Sequence, residues 1–249
     1  TYGYSEAVNG PPSQGLLWDT STGATQPYLG KKNFESVSEL YEAGLKAEVI
    51  PDKLIATAAV FHQTREAPIQ TVNGVGQDSA ELRVRGVELA RRYEPTTAFS
   101  AGLNYSYTDA IYLNYLANVQ SPYGFVADNA TPFATSSAGV IPVGNYRLTA
   151  VPKNAASAFA GYRWANGLGV KVSAWWQERS LYKIAYPVWL PSQYNVDVAV
   201  SYRRPKWYAQ VDFLNVTDRI NFANVGVDSV DFLQVLPRFG IQGKVSFRF

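Results

Sequence analysis

The chain has 249 residues, of which 47% are hydrophobic, 14% aromatic and only 17% charged, with a formal net charge of +2. That composition is too apolar and aromatic for a disordered chain, and the near-neutral balance carries no nucleic-acid signature. Cys and Met are both absent, which removes disulfides, thiolate metal sites and a cysteine nucleophile.

Without Met the chain is a processed product or a piece, and a strand-like start at Thr1-Tyr-Gly-Tyr-Ser5 favours a piece. The longest apolar run, residues 54–61, falls well short of the ~18 residues a membrane-spanning helix needs. Crossing by strands leaves a much weaker hydropathy signal. Residues 34–49 carry two patterns. Phe34, Val37, Tyr41, Leu45 and Val49 fit a helical stripe, whereas Tyr41, Ala43, Leu45, Ala47 and Val49 alternate as one face of a strand, and the strand is preferred. Residues 54–63 are apolar on both faces, so the pattern does not fix which face is outer. Residues 81–93 change phase near Gly86, which predicts a β-bulge there, with Val87 and Leu89 facing out.

The two-residue period is clearest further on. Phe99, Ala101, Leu103, Tyr105 and Tyr107 alternate with Ser100, Gly102, Asn104, Ser106 and Thr108. Residues 156–164 read as a strand. Leu168, Val170, Val172, Ala174 and Trp176 alternate with Gly169, Lys171, Ser173, Trp175 and Gln177. Residues 194–203 and 207–213 repeat the pattern. In the last twelve, Phe239, Ile241, Gly243, Val245, Phe247 and Phe249 alternate with Arg238, Gly240, Gln242, Lys244, Ser246 and Arg248. Alternation puts one chemistry on each face of a strand.

Tight connections with turn chemistry near Pro51-Asp52-Lys53, Glu94-Pro95-Thr96-Thr97, Ala165-Asn166-Gly167 and Arg204-Pro205-Lys206 alternate with long ones near 6–36, 67–80, 113–149, 180–192 and 218–237. One greasy wall, one wet wall and loops sorted by end predict an all-β fold, an antiparallel transmembrane β-barrel with short periplasmic turns and long extracellular loops. About ten strands are expected. A strand of ~11 residues tilted by ~45° rises roughly 26 Å, the height of an apolar band. Tyr105, Tyr107, Tyr162, Trp164, Tyr194, Tyr202 and Trp207 would form interfacial girdles.

Tyr41-Glu-Ala-Gly-Leu-Lys46 with the following Pro-Asp turn, Arg85-Gly-Val-Glu-Leu89, Asn104-Tyr-Ser-Tyr-Thr-Asp-Ala110, Val151-Pro-Lys-Asn154, Phe213-Leu-Asn-Val-Thr-Asp218 and a terminal Phe stand in an order that resembles TonB-dependent outer-membrane receptors of the siderophore type. The resemblance implies that residues 1–249 are a C-terminal portion of a barrel of about 22 strands, the plug domain and earlier strands lying outside it. It also implies a bacterial outer-membrane location. The expected partners are a ferric siderophore or similar chelate, the TonB complex acting through the plug, the barrel-assembly machinery, and outer-membrane lipid and lipopolysaccharide. No cofactor is expected. Phe247 and Phe249 would serve as the assembly signal, although Lys244 stands where the usual signal has Gly.

No catalytic constellation is present, and the single His62 has no acid or nucleophile beside it in sequence, so the chain is not read as an enzyme. Trp175, Gln177 and Arg179 would point inward near the outer mouth, and Arg65, Arg83 and Arg85 are expected at a similar height, facing inward as well. The long 113–149 loop brings Tyr115, Tyr123, Phe125, Phe133, Tyr146 and Arg147. Aromatic faces and guanidinium groups suit a planar anionic iron chelate through stacking, cation–π contact and charge-assisted hydrogen bonds. The bland reading is that loop aromatics pack the loop and lumen Arg pairs with lumen carboxylates. The function expected is active import of a scarce ligand; the alternative is a free-standing small barrel, a passive pore or adhesin.

Overall fold

The computed structural model describes residues 2–8, 35–67, 71–72, 75–76, 80–115, 118–119, 139–140, 144–182, 189–224 and 233–248. Ten strands form one antiparallel sheet in sequence order: β1 (Tyr2–Val8), β2 (Glu35–Ile50), β3 (Leu54–Ala67), β4 (Ala80–Tyr93), β5 (Phe99–Tyr115), β6 (Asn154–Arg163), β7 (Leu168–Gln177), β8 (Gln193–Arg203), β9 (Trp207–Leu214) and β10 (Gly240–Phe247). A short strand, Gly144–Arg147, pairs with the far end of β5 beyond the start of β6. Among the described residues the sheet does not close, since β1 and β10 end its path. The strand reading of 34–49 is borne out over Glu35–Ile50.

All the tight turns lie at one end. Pro51 and a left-handed Asp52 (φ 57°) reverse the chain between β2 and β3, closed by Lys53 N–H donating to Ile50 O at 3.0 Å. Gly167 has φ 93°, and a Cβ there would lie 2.2 Å from Arg203 O, so only glycine fits both the conformation and the space. The long connections at the other end contain two-stranded ribbons of their own: Thr71–Val72 with Val75–Gly76, Asn118–Val119 with Gly139–Val140, Ser180–Leu181 with Trp189–Leu190, and Phe222–Asn224 with Leu233–Val235.

Register assigns the faces. Leu45, Ala58, Leu89 and Tyr105 share one rung, and Val172, Val198 and Phe213 another. This wall presents Leu45, Val60, Leu89, Leu103, Val172, Trp176, Val211, Ile241, Val245 and Phe247, all large, apolar and exposed. The opposite wall carries Ser100, Gly161, Lys171, Ser201 and Gln210, which line one continuous hollow, so that face is concave. The ambiguous strand is thereby resolved: Leu54, Ala56, Ala58 and Val60 face out, and Ile55, Thr57, Ala59 and Phe61 face in. Among the described residues only Ala110, Leu181 and Leu190 are buried apolar side chains. A water-soluble sandwich of this size would turn its greasy faces toward each other; here they face outward.

Two expectations are corrected. β4 pairs with β3 and β5 from end to end without a register shift, so Gly86 is no bulge. A Cβ on Gly86 would lie 2.1 Å from Tyr107 O and 2.8 Å from Phe61 Cζ; the glycine is a seat for the Phe61 ring. The bulge sits instead between Glu48 and Ile50. The apparent change of phase arises because the long strands outrun the apolar band. β5, with 17 residues, rises roughly 40 Å against a band ~25 Å tall. Above the band the outer wall turns polar, which is the second correction. Arg83 and Arg85 lie on the outer wall, Arg85 paired with Asp109 at 3.1 Å and flanked across the strands by His62, while Arg65 lies on the inner side.

Candidate functional site

The candidate residues fall into three groups. Trp175 and Gln177 stand on the inner wall of β7, in rungs with Ser157 and Asn195 and with Ala155 and Gln193 respectively. They border a hollow of about 460 Å³ together with Glu88, Asn104 and Ser106. Asn104 Nδ2 donates to Ser157 Oγ at 3.2 Å in the Trp175 rung. The result is an aromatic face set among uncharged donors and acceptors, with Glu88 as a nearby carboxylate.

The second group lies at the loop end. Tyr146 is opposite Tyr112 on the inner side, and Arg147 is opposite Ile111 on the outer-wall side, so this pair straddles the rim. The Arg147 guanidinium stands 5.8 Å from the Trp189 ring centroid and the Arg179 guanidinium 4.8 Å from it. Two cations thus share one indole, in contacts worth about 0.5–1 kcal/mol each when exposed. Arg147 also donates to Val151 O at 3.3 Å, and its buried Nε has no partner among the described residues. Trp189 was not anticipated. It lies 42 residues beyond Arg147 in the sequence, and only the pairing of Ser180–Leu181 with Trp189–Leu190 brings it there. Tyr115 ends β5 opposite Gly144. Tyr123, Phe125 and Phe133 lie outside the described residues.

The third group was recognised in sequence only as a motif. Phe213-Leu-Asn-Val-Thr-Asp218 ends β9 in a polar latch. Asn215 is 3% exposed and left-handed (φ 48°); its amide donates to Arg219 O at 2.8 Å, its Oδ1 accepts from Arg219 N–H, and its own N–H donates to Asp197 Oδ1 at 2.7 Å. Asp218 receives both Arg238 Nε, at 2.8 Å, and a second Arg238 nitrogen. The Arg238 hydrogen bonds and the Phe239 N–H hold the Asp218 carboxyl below its ordinary range. Asn215-Val-Thr217 has the form of a glycosylation acceptor, but an amide committed to so many bonds is no sugar acceptor. The aromatic girdle is present at the turn end as Tyr162 against Trp164 (centroids 4.9 Å) and Tyr202 against Trp207 (5.4 Å). Phe247, on the outer wall, is one of its most exposed residues at 68%; Phe249 is outside the described residues.

A curved antiparallel sheet, apolar outside and polar within, with tight turns at one end and long loops at the other, defines the wall of a membrane-spanning β-barrel. The family model described as TonB dependent receptor-like, beta-barrel matches residues 1–225, and the chain belongs to that family, whose members are outer-membrane β-barrel proteins. No curated protein matches the sequence significantly. Among solved structures, the ferric-catecholate import receptor Fiu of E. coli K12 in its closed form is similar over 100% of this chain and 32% of its own, with TM-score 0.68 and 17% identity. The siderophore receptor PiuA of Acinetobacter baumannii is similar over 98% and 32%, with TM-score 0.67 and 18% identity. The ferric yersiniabactin uptake receptor FyuA of Yersinia pestis is similar over 98% and 32%, with TM-score 0.61 and 13% identity. The chain thus spans about a third of the length of these relatives, which are receptors rather than enzymes.

Proposed function

We propose that this chain is part of the barrel wall of an outer-membrane receptor that binds a ferric siderophore and imports it with energy delivered by TonB. The observation that carries the reading is the agreement in fold of nearly the whole chain with the siderophore receptors Fiu, PiuA and FyuA. The inner wall is chemically suited to the task. Trp175 offers a ring to a planar chelate, Gln177 and Asn104 offer hydrogen bonds, and Tyr146 extends the same face toward the mouth. Arg147 and Arg179, held on Trp189, add positive charge at the rim, where an anionic chelate arrives. Tyr115, Tyr123 and Phe125 complete the proposed contact set from the long loop. The barrel-assembly machinery, reading Phe247 and Phe249, and the lipid and lipopolysaccharide around the apolar wall are the proposed structural partners.

Native mass spectrometry of the full-length receptor, purified from iron-starved cells, tests this reading. An iron-bearing chelate is expected to accompany the protein. Trp175→Ala should weaken its binding roughly tenfold, the loss of one aromatic stacking contact of ~1.4 kcal/mol. Co-purification of a ligand without iron would overturn the siderophore assignment.

A further inference from the structure

Arg91 stands exposed on the outer wall of β4, in one rung with Ala56 of β3 and Leu103 of β5. The rung above it holds Ala58 and Leu89, and the rung below holds Leu54 and Tyr93, so no carboxylate stands beside it on this wall. The acid nearest in sequence, Glu94, is already taken by Arg92, whose Nε and Nη2 donate to it at 3.0 and 2.7 Å. Arg91 is in no ion pair among the described residues. Higher on the same strand, by contrast, Arg85 has Asp109 at 3.1 Å. A guanidinium on a lipid-facing wall is destabilising unless it reaches the interface or meets a counter-charge.

The same arginine borders a trough in the apolar wall. Ala47, Ala56 and Ala58 end at Cβ, while Leu45 and Val49 rise on the β2 side and Leu89 and Leu103 on the other, leaving a hollow of about 400 Å³. Apart from Arg91, Tyr105 and Thr57, its lining is aliphatic. Thr57 belongs to the inner face of β3, and the Tyr105 hydroxyl already donates to Asn154 Oδ1 at 2.6 Å. The guanidinium is thus the polar group that the trough leaves open. Arg91 lies one rung nearer the turns than Tyr105 and two residues before Tyr93, the last residue of β4. From there a long side chain can cover apolar surface with its stem and carry its charge to the interface.

We infer that the trough and Arg91 together hold an anionic glycerophospholipid of the periplasmic leaflet, one acyl chain lying over the alanines and the phosphate on the guanidinium. A phosphodiester supplies the counter-charge that the wall lacks, in the fork geometry a guanidinium matches best. Short turns mark the periplasmic end of outer-membrane barrels, and Arg91 lies near that end of its strand. The leaflet at the loop end meets a different surface, where Arg85 is already neutralised by Asp109. The inference rests on the barrel-wall part of the proposed function and not on the ligand.

Photo-crosslinking of the full-length receptor in phosphatidylcholine vesicles tests the site. The probe is a small fraction of phosphatidylglycerol carrying a diazirine in one acyl chain, and peptide mass spectrometry reads where it inserts. Peptides containing Ala47, Ala56 and Ala58 should be labelled roughly tenfold more than the one containing Val211, an outer-wall residue of β9, as one charge-assisted contact would give. Arg91→Gln should bring them down to the Val211 level, and labelling at Val211 itself reports that the variant is folded and inserted. The same diazirine chain on phosphatidylcholine should show no such enrichment. Even labelling along the wall, or an enrichment that survives Arg91→Gln or appears equally with the choline probe, would overturn the inference. No iron chelate enters the experiment, so it can fail while the siderophore reading stands, and the reverse.

Discussion

Gly86 shows how a single missing side chain sets the inner wall. Its cross-strand neighbour Phe61 is an inward aromatic on a wall otherwise rich in small polar residues, and the ring rests where a Cβ would be. A ring laid over a cross-strand glycine covers backbone and fixes register together. Gly86→Ala must displace both Phe61 and the Tyr107 carbonyl, and overpacking of that kind costs about 1–3 kcal/mol. Guanidinium unfolding of the refolded receptor should show this loss, and Phe61→Leu in the same background should restore part of it. An unchanged midpoint in Gly86→Ala would mean that the ring and carbonyl move aside freely. Sequence alone sees a glycine where the pattern changes; its reason is a contact with residues on two other strands, which no local window contains.

At the scale of elements, alternation was legible wherever a strand stayed within the apolar band, as in β7 and β10, because the two solvents then write their chemistry onto alternate residues. It failed where strands rise above the band. There β4 keeps its register while its outer face passes from Leu89 and Val87 to Arg85 and Arg83, and the change of chemistry imitates a change of phase. The Arg147–Trp189–Arg179 stack was illegible for another reason: it joins two long connections through a two-stranded ribbon. The connection from β9 to β10 is fastened by Asp218 and Arg238, and here a pH dependence follows. Asp218 has its carboxyl held below its ordinary value in the folded chain. Its stabilisation is therefore fully present above an unfolded pKa of about 3.9, and is lost as pH falls through the lower folded value. Cleavage of the 215–239 connection by an acid-tolerant protease should accelerate below about pH 4. Asp218→Asn should show faster cleavage already at neutral pH; equal rates for the two proteins there would mean that the pair fastens nothing.

The whole molecule is organised by its solvents rather than by a dry core. Three small or aliphatic side chains are all that is buried and apolar among the described residues, while Leu45, Ile241, Val245 and Phe247 are 61–70% exposed. Such surfaces are stable only against lipid, and the strands between the two edges pair with neighbours on both sides, the arrangement that satisfies backbone hydrogen bonds in a hydrocarbon surrounding. The family match and the similar solved structures agree with this architecture. The open edges at β1 and β10 are consistent with a chain that spans about a third of the length of those receptors.

The central claim is that alternate residues of each strand meet lipid and water, and site-directed spin labelling tests it most directly. These 249 residues hold no cysteine, so labels can be placed singly at Val170, Lys171, Val172, Ser173, Ala174 and Trp175 of the full-length receptor in a bilayer, once any cysteine elsewhere in that receptor is replaced by serine. Relaxation by oxygen, which partitions into lipid, should peak at Val170, Val172 and Ala174, and relaxation by a water-soluble nickel chelate at Lys171, Ser173 and Trp175. Oxygen and nickel accessibilities that rise and fall together along the strand, or a shielded apolar set at Val170, Val172 and Ala174, would contradict it.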